Sequence, residues 1–143
     1  MYQPSEKEII RRVKIAIGIL FKNDCYLLES GVHERTISHK LAEYLQIQFP
    51  DWNVDCEYNK KGIDTKRQDH KLVYPDIIVH HRDTNENLLI IEIKSNRKYC
   101  KKDIEKIKKF ISPQYDFNYN VGLFIQFNRR KEPEIQSYSE LNE

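Results

Sequence analysis

Apolar residues recur at helical spacing near the start of the chain, where Ile9, Val13, Ala16, Ile17 and Leu20 form one stripe. The stripe predicts an amphipathic helix over residues 5 to 21. Ser5 followed by Glu8 has the form of a capping box at its start, and Lys22, Asn23 and Asp24 interrupt it. Residues 25 to 32 carry no clear period, and Leu27 and Leu28 are expected to pack beneath the helices. A second stripe, Ile37, Leu41, Tyr44 and Leu45, predicts a helix from about residue 32 or 33 to Phe49, closed by Pro50.

Beyond Pro50 the period shortens to that of strands. Trp52 to Tyr58 alternates, and Asn59 to His70 is polar and basic with a glycine at 62, which suits a long loop. Two strands are predicted at Tyr74 to His81 and Leu88 to Lys94, joined by turn chemistry at Arg82 to Asn87. A helix follows from Cys100 to Ile111, with Ile104, Ile107 and Ile111 on one side, lysines elsewhere, and Pro113 beyond its end. Val121 to Phe127 is a nearly continuous apolar run and reads as a buried strand. The segment from Asn128 is charged, contains Pro133 and is expected to be loosely held.

After the first helix the order is therefore αβββαβ. The crossover helix makes the last two strands parallel, with antiparallel pairing before them. The expected fold is a single α/β domain, a mixed sheet with helices on both faces. Its core spans about residues 32–128, with an N-terminal helical extension at 1–31, read as extra cover for the core, and a polar tail at 129–143.

Composition narrows the class. The 143 residues are 39% hydrophobic and 32% charged, long enough for one packed core and typical of a soluble globular protein. The longest apolar run, Ile15 to Phe21, is too short to span a bilayer, so no membrane partner is expected. Cys25, Cys56 and Cys100 are odd in number and scattered, which reads as reduced thiols in a cytoplasmic protein. Net charge is only +2, but it is unevenly placed. Residues 94–109 hold eight Lys or Arg against Asp103 and Glu105, a local +6, and residues 60–71 hold five against two, a local +3. Lys98, Lys101, Lys102, Lys60 and Lys61 are the candidates for a nucleic-acid contact. Taken alone, a lysine-rich helix is more simply a solvated face.

Both basic blocks flank the stretch with the most chemistry. Period-two alternation puts Glu92 and Lys94 on one face of a strand, with Ile91 and Ile93 on the other. Hairpin pairing brings Asp76, just after Pro75, to the same edge. Two converging carboxylates repel when ionised, and a hard cation of the magnesium type relieves that. Lys94 would be poised to stabilise an anionic substrate or orient a water. The plainer alternative is a surface network in which Glu92 and Lys94 pair with each other. Glu34 stands near the apolar stripe at its helix N-terminus, where a carboxylate is favoured by the dipole alone.

Other chemistries fit poorly. His80 and His81 are adjacent on a strand and face opposite sides, while His33 and His39 fall on different helix faces, against a zinc site. Ser95 lacks a histidine in a nucleophile pattern, and the four glycines form no phosphate loop. Trp52 is expected in the core.

Pro75-Asp76, fifteen intervening residues and Glu92-Ile93-Lys94, with Glu34 on a preceding helix, give the chain its family likeness. It resembles the PD-(D/E)XK nuclease superfamily, whose restriction-endonuclease-like fold has the αβββαβ order found from about His33 to Phe127. The resemblance leaves residues 5 to 21 uncovered. It implies a metal-dependent nuclease using Mg2+ or Mn2+ on nucleic acid, DNA in the first instance. By the same resemblance Asp76, Glu92 and the Ile93 main-chain carbonyl would be metal ligands. Lys94 would orient the attacking water, and Glu34 would match a helix glutamate that binds metal directly or through water. Cutting both strands of a duplex takes two active sites, which would favour a homodimer, although no residue marks one. Two other functions stay open: a catalytically silent DNA-binding module, and a protein-interaction domain using the first helix.

Overall fold

The computed structural model describes residues 3–30, 34–57, 67–68, 71–72, 74–112, 117–128 and 131–141. Lys60, Lys61 and most of the 59–70 segment lie outside these residues.

Helix α1 covers Glu6–Glu29, longer than its apolar stripe. Ser5 caps it, its hydroxyl accepting from the Glu8 N–H at 3.2 Å. The Lys22-Asn23-Asp24 interruption is a kink and not an end: Asp24 leaves helical geometry (φ −131°, ψ 28°) and the helix resumes. The Tyr44 hydroxyl of the next helix donates to Asp24 Oδ2 and fixes the bend. Helix α2 covers Glu34–Gln48 and buries Ile37, Leu41 and Leu45, as its stripe requires.

The main sheet has five strands in the order β1-β4-β5-β6-β7. They are β1 (Asn53–Cys56), β4 (Ile77–His80), β5 (Asn87–Ser95), β6 (Tyr119–Phe127) and β7 (Glu134–Ser137). A two-residue ladder, β2 (Arg67–Gln68) with β3 (Lys71–Leu72), lies apart from it in the expected loop. β1/β4 and β4/β5 are antiparallel, with Ile77 opposite Ile91. β5/β6 is parallel, with Ile91 opposite Leu123, and α3 (Lys101–Ile111) makes the crossover. The sheet is thus mixed, as the crossover required.

β5 is buried from Asn87 to Ile93 because both its faces are covered, which explains its unbroken apolar run. On one face Leu89, Ile91 and Ile93 pack with Ile9, Val13, Leu20, Ile37 and Leu41 of α1 and α2. On the other, Ile78, Ile90 and Phe124 pack with Ile107 and Phe110 of α3. α3 sits close because Gly122 lies beneath it: a Cβ there would meet Ile111 Cδ1 at 2.5 Å and Ile107 Cγ2 at 2.6 Å. The stripe of α3 differs from expectation. Asp103, Ile107 and Phe110 are its buried residues, while Ile104 and Ile111 are only half-buried.

Within the charged C-terminal segment, which is expected to be loosely held, residues 134–141 form a strand and a short helix. β7 pairs antiparallel with β6, Leu123 opposite Ser137 and Gln126 opposite Glu134. α4 (Tyr138–Leu141) follows it. Ile135 packs against the larger core and Tyr138 against the smaller, so a few apolar residues anchor a mostly polar strand. Pro133 falls just before β7, where a missing N–H breaks no ladder. Among the described residues no helix is long and apolar enough to cross a membrane.

Candidate functional site

The site forms where β4 begins. Pro75 is buried, and the ladder to β5 opens at Ile77, so the β5 amides beyond Ile91 run past their partner strand. Residues 93 and 95 point their N–H groups to the same side by the period of the strand. Two carboxylates take them. Asp76 Oδ2 accepts from the Ile93 N–H at 2.7 Å, and Glu34 Oε2 from the Ser95 N–H at 2.7 Å. Acidic side chains thereby satisfy amides that a continuing strand would have paired. The first residue of α2 is thus tied to the end of β5, 61 residues further along the chain.

Asp76 shares its face with Ile78, Ile90 and Glu92, the face covered by α3. Glu92 is only 4% exposed. Burial pushes its carboxyl up to about 7; the charge of Asp76 adds to the rise and Lys106 of α3 opposes it. The Asp76 carboxyl is also raised. Burial is the main cause, and the Ile93 N–H and Lys106 ease it while Glu34 works against them. The two carboxylates therefore sense each other in a site poor in water.

Lys106 Nζ lies 2.8 Å from Glu92 Oε1. This ion pair opposes the rise that burial imposes on the Glu92 carboxyl. Lys94 shares the Glu92 face but turns to α3, its Nζ 3.1 Å from Asp103 Oδ1. Asp103 also accepts the Cys100 N–H at 2.7 Å, closing the first turn of α3. Burial would raise the Asp103 carboxyl, but the Cys100 N–H and Lys94 outweigh it and leave it lowered. Glu34 receives two bonds from Arg97, at 2.8 and 3.1 Å. Arg97 and the Ser95 N–H overcome the effect of burial and lower the Glu34 carboxyl.

Asp76, Glu92 and Lys94 thus come to one face at one end of the sheet. Glu34 reaches the same end from the opposite helical layer, with its oxygens held by Ser95 and Arg97. Lys98, Lys101 and Lys102 are exposed along the β5–α3 turn and the first turn of α3. Gln126, opposite Lys94 in the ladder, is buried and donates to Asn128 Oδ1 at 2.9 Å. Arg97 and, on α3, Lys106 and Asp103 are charged site residues that the sequence pattern did not single out. For the α3 pair the signal was helical: Asp103, Lys106 or Ile107, and Phe110 share a face that the Ile104 stripe obscured.

Among the described residues no group of three or more His, Cys, Asp or Glu side chains is placed to hold a metal ion. The donor set at hand is smaller: two carboxylates of raised proton affinity, one of them ion-paired with Lys106, beside the Ile93 main chain. Two anionic oxygens of this kind fit a hard divalent cation that keeps several waters.

His80 is buried, its Nε2 2.7 Å from Asp55 Oδ2, and Arg82 NH2 is 2.5 Å from Asp55 Oδ1. This cluster lies at the far end of β4 from Asp76. Trp52 is in the core and stacks on His81 at 3.9 Å between ring centroids. Cys25, Cys56 and Cys100 are free thiols. No protein-family model, curated protein or solved structure matches the chain.

Proposed function

We propose that the protein is a divalent-metal-dependent nuclease of the PD-(D/E)XK, restriction-endonuclease-like type, hydrolysing phosphodiester bonds in DNA. One observation carries this reading: Asp76 and Glu92 converge at a strand end, largely withdrawn from water, with lysines as their nearest cations. Placing two carboxylates so costs folding free energy, which a binding function would justify and a surface network would not.

Asp76 and Glu92, with the Ile93 carbonyl, would hold Mg2+ or Mn2+. Such an ion, when bound, supplies charge relief to the phosphoryl oxygens and lowers the proton affinity of a coordinated water. The chain's own residues do the rest. The Asp76 carboxylate is held in place by the Ile93 N–H. Lys94, which Asp103 steadies at 3.1 Å, presents a cation on the same face to a phosphate or its attacking water. Glu34 fixes the end of β5 and orients Arg97 at the rim. Exposed Lys98, Lys101 and Lys102 would track the phosphate backbone. Lys60 and Lys61 remain candidates for the same contact. Two copies of the chain would cut the two strands of a duplex.

A silent DNA-binding module is the second reading, and one observation favours it: Lys106 and Asp103 already balance the charges of Glu92 and Lys94. The deciding experiment offers plasmid, linear duplex, junction and single-stranded DNA with Mg2+ or Mn2+. Wild type should cleave at least one, and Asp76→Ala and Lys94→Ala should each lose about a hundredfold or more. Salt-sensitive DNA binding without cleavage under any metal condition would select the silent module.

A further inference from the structure

The position of Lys106 is not explained by packing. An amphipathic helix buries apolar residues, and α3 does so with Ile107 and Phe110; yet the residue before Ile107 directs an ammonium inward at Glu92 Oε1, 2.8 Å away. Its side chain is 23% exposed and that of Glu92 is 5% exposed. At this distance the ammonium is the charge partner of a carboxylate that is otherwise buried beside the like charge of Asp76. The second lysine of the face, Lys94, is engaged by Asp103 at 3.1 Å, so the cation at Glu92 comes from α3 and not from the strand.

We infer that Lys106 is an exchangeable counter-ion: its ammonium holds the Glu92 position while no metal is bound, and a divalent cation enters by displacing it. The inference rests on the nuclease reading of the site and adds a residue to it. Two cations at contact distance on one carboxylate oxygen repel each other, so a metal that takes Glu92 Oε1 moves Lys106 Nζ. The freed ammonium is carried on a flexible four-carbon stem from the helix that lines the site, where it can meet an anionic phosphate arriving with the metal. Lys106 is in this account a gate on metal affinity. The site stays charge-balanced when empty, and binding at Glu92 liberates a cation for substrate.

Calorimetric titration of wild type, Lys106→Met, Lys106→Arg and Glu92→Gln with MnCl2 and MgCl2 tests this without any substrate. Removing the competing cation should tighten Mn2+ binding by about tenfold in Lys106→Met, while Lys106→Arg should bind no tighter than wild type and Glu92→Gln should lose binding. Lys106→Gln gives the same comparison if Lys106→Met does not fold. Acylation of wild-type Lys106, followed by peptide mass analysis, should become faster when Mn2+ is added. Wild type that binds Mn2+ with no gain in either neutral variant overturns the exchange and leaves the metal site standing. Absence of Mn2+ binding in every variant overturns both.

Discussion

Replacing Glu92 by Gln removes a charge that the fold holds at a cost, and pH sets the size of the effect. The Glu92 carboxyl is pushed from its ordinary 4.5 up to about 7, first by burial and then by the charge of Asp76. A carboxyl whose proton affinity is higher in the folded state favours folding when protonated. The unfolded chain releases its proton near 4.5 and the folded chain only near 7, so stability is fully present below 4.5 and is lost as pH rises through 7. The interval is roughly 2.5 pH units, and at about 1.36 kcal/mol per unit it amounts to about 3 kcal/mol. Gln has nearly the shape of protonated Glu and carries no charge at any pH. Wild type and Glu92→Gln should therefore match near pH 4.5, and the variant should be more stable by about 3 kcal/mol at pH 8. Urea denaturation of both proteins in EDTA at intervals from pH 4.5 to 8.5 gives the difference directly. A difference that stays flat within about 0.5 kcal/mol across that range would refute the buried, mutually repelling pair.

Asp76→Asn keeps an oxygen able to accept the Ile93 N–H, whereas Asp76→Ala leaves that amide without its partner; by urea denaturation at pH 7, Ala should cost about 1–3 kcal/mol and Asn clearly less. Divalent-metal stabilisation in thermal melts, if Asp76 is a ligand, should be lost in both. Gly122→Val should cost about 1–3 kcal/mol, because its side chain must push Ile107 and Ile111 of α3 away from β6; a melt unchanged from wild type would show that α3 is not closely seated there.

Much of this architecture is legible in residue order because burial imposes a period. Ile9 to Leu20 and Ile37 to Leu45 mark the faces of α1 and α2, and both helices bury those residues. The unbroken apolar runs around Ile90 and Ile125 mark β5 and β6, and the helix between them dictates their parallel pairing. Alternation likewise places Glu92 and Lys94 on one face. What it cannot give is the partner of each charge. Lys94 could have met Glu92 two residues away, but pairs with Asp103, because α3 covers that face and brings a carboxylate with it. The stripe of α3 is ambiguous by about one residue, since Ile104, Ile107, Phe110 and Ile111 are all apolar. A stripe centred on Ile104 leaves Asp103 and Lys106 off the buried face, whereas the helix buries Asp103, Ile107 and Phe110. β7 is hidden for a related reason: Glu134, Gln136 and Ser137 are polar, and Ile135, Tyr138 and Leu141 are what mark the segment as one that packs.

The end of a strand ladder is itself what makes this site. β4 begins at Ile77, just past the buried Pro75, which has no amide to offer, while β5 continues to Ser95. Two outward amides of β5, at Ile93 and Ser95, are left to find acceptors, and carboxylates are the strongest acceptors a chain can supply. Asp76 and Glu34 fill that role from two different elements. Anionic oxygens are thereby gathered at the strand end by backbone necessity, before any ligand is considered. Glu92, placed on the adjacent face by alternation, adds a further negative charge under the cover of α3, and that helix brings Lys106 to Glu92 and Asp103 to the strand's own Lys94. The same cover that excludes water raises the proton affinity of Asp76 and Glu92, and with it their preference for any cation that can replace a proton. Charge balance at Glu92 is consequently supplied by a helix that lies across the sheet.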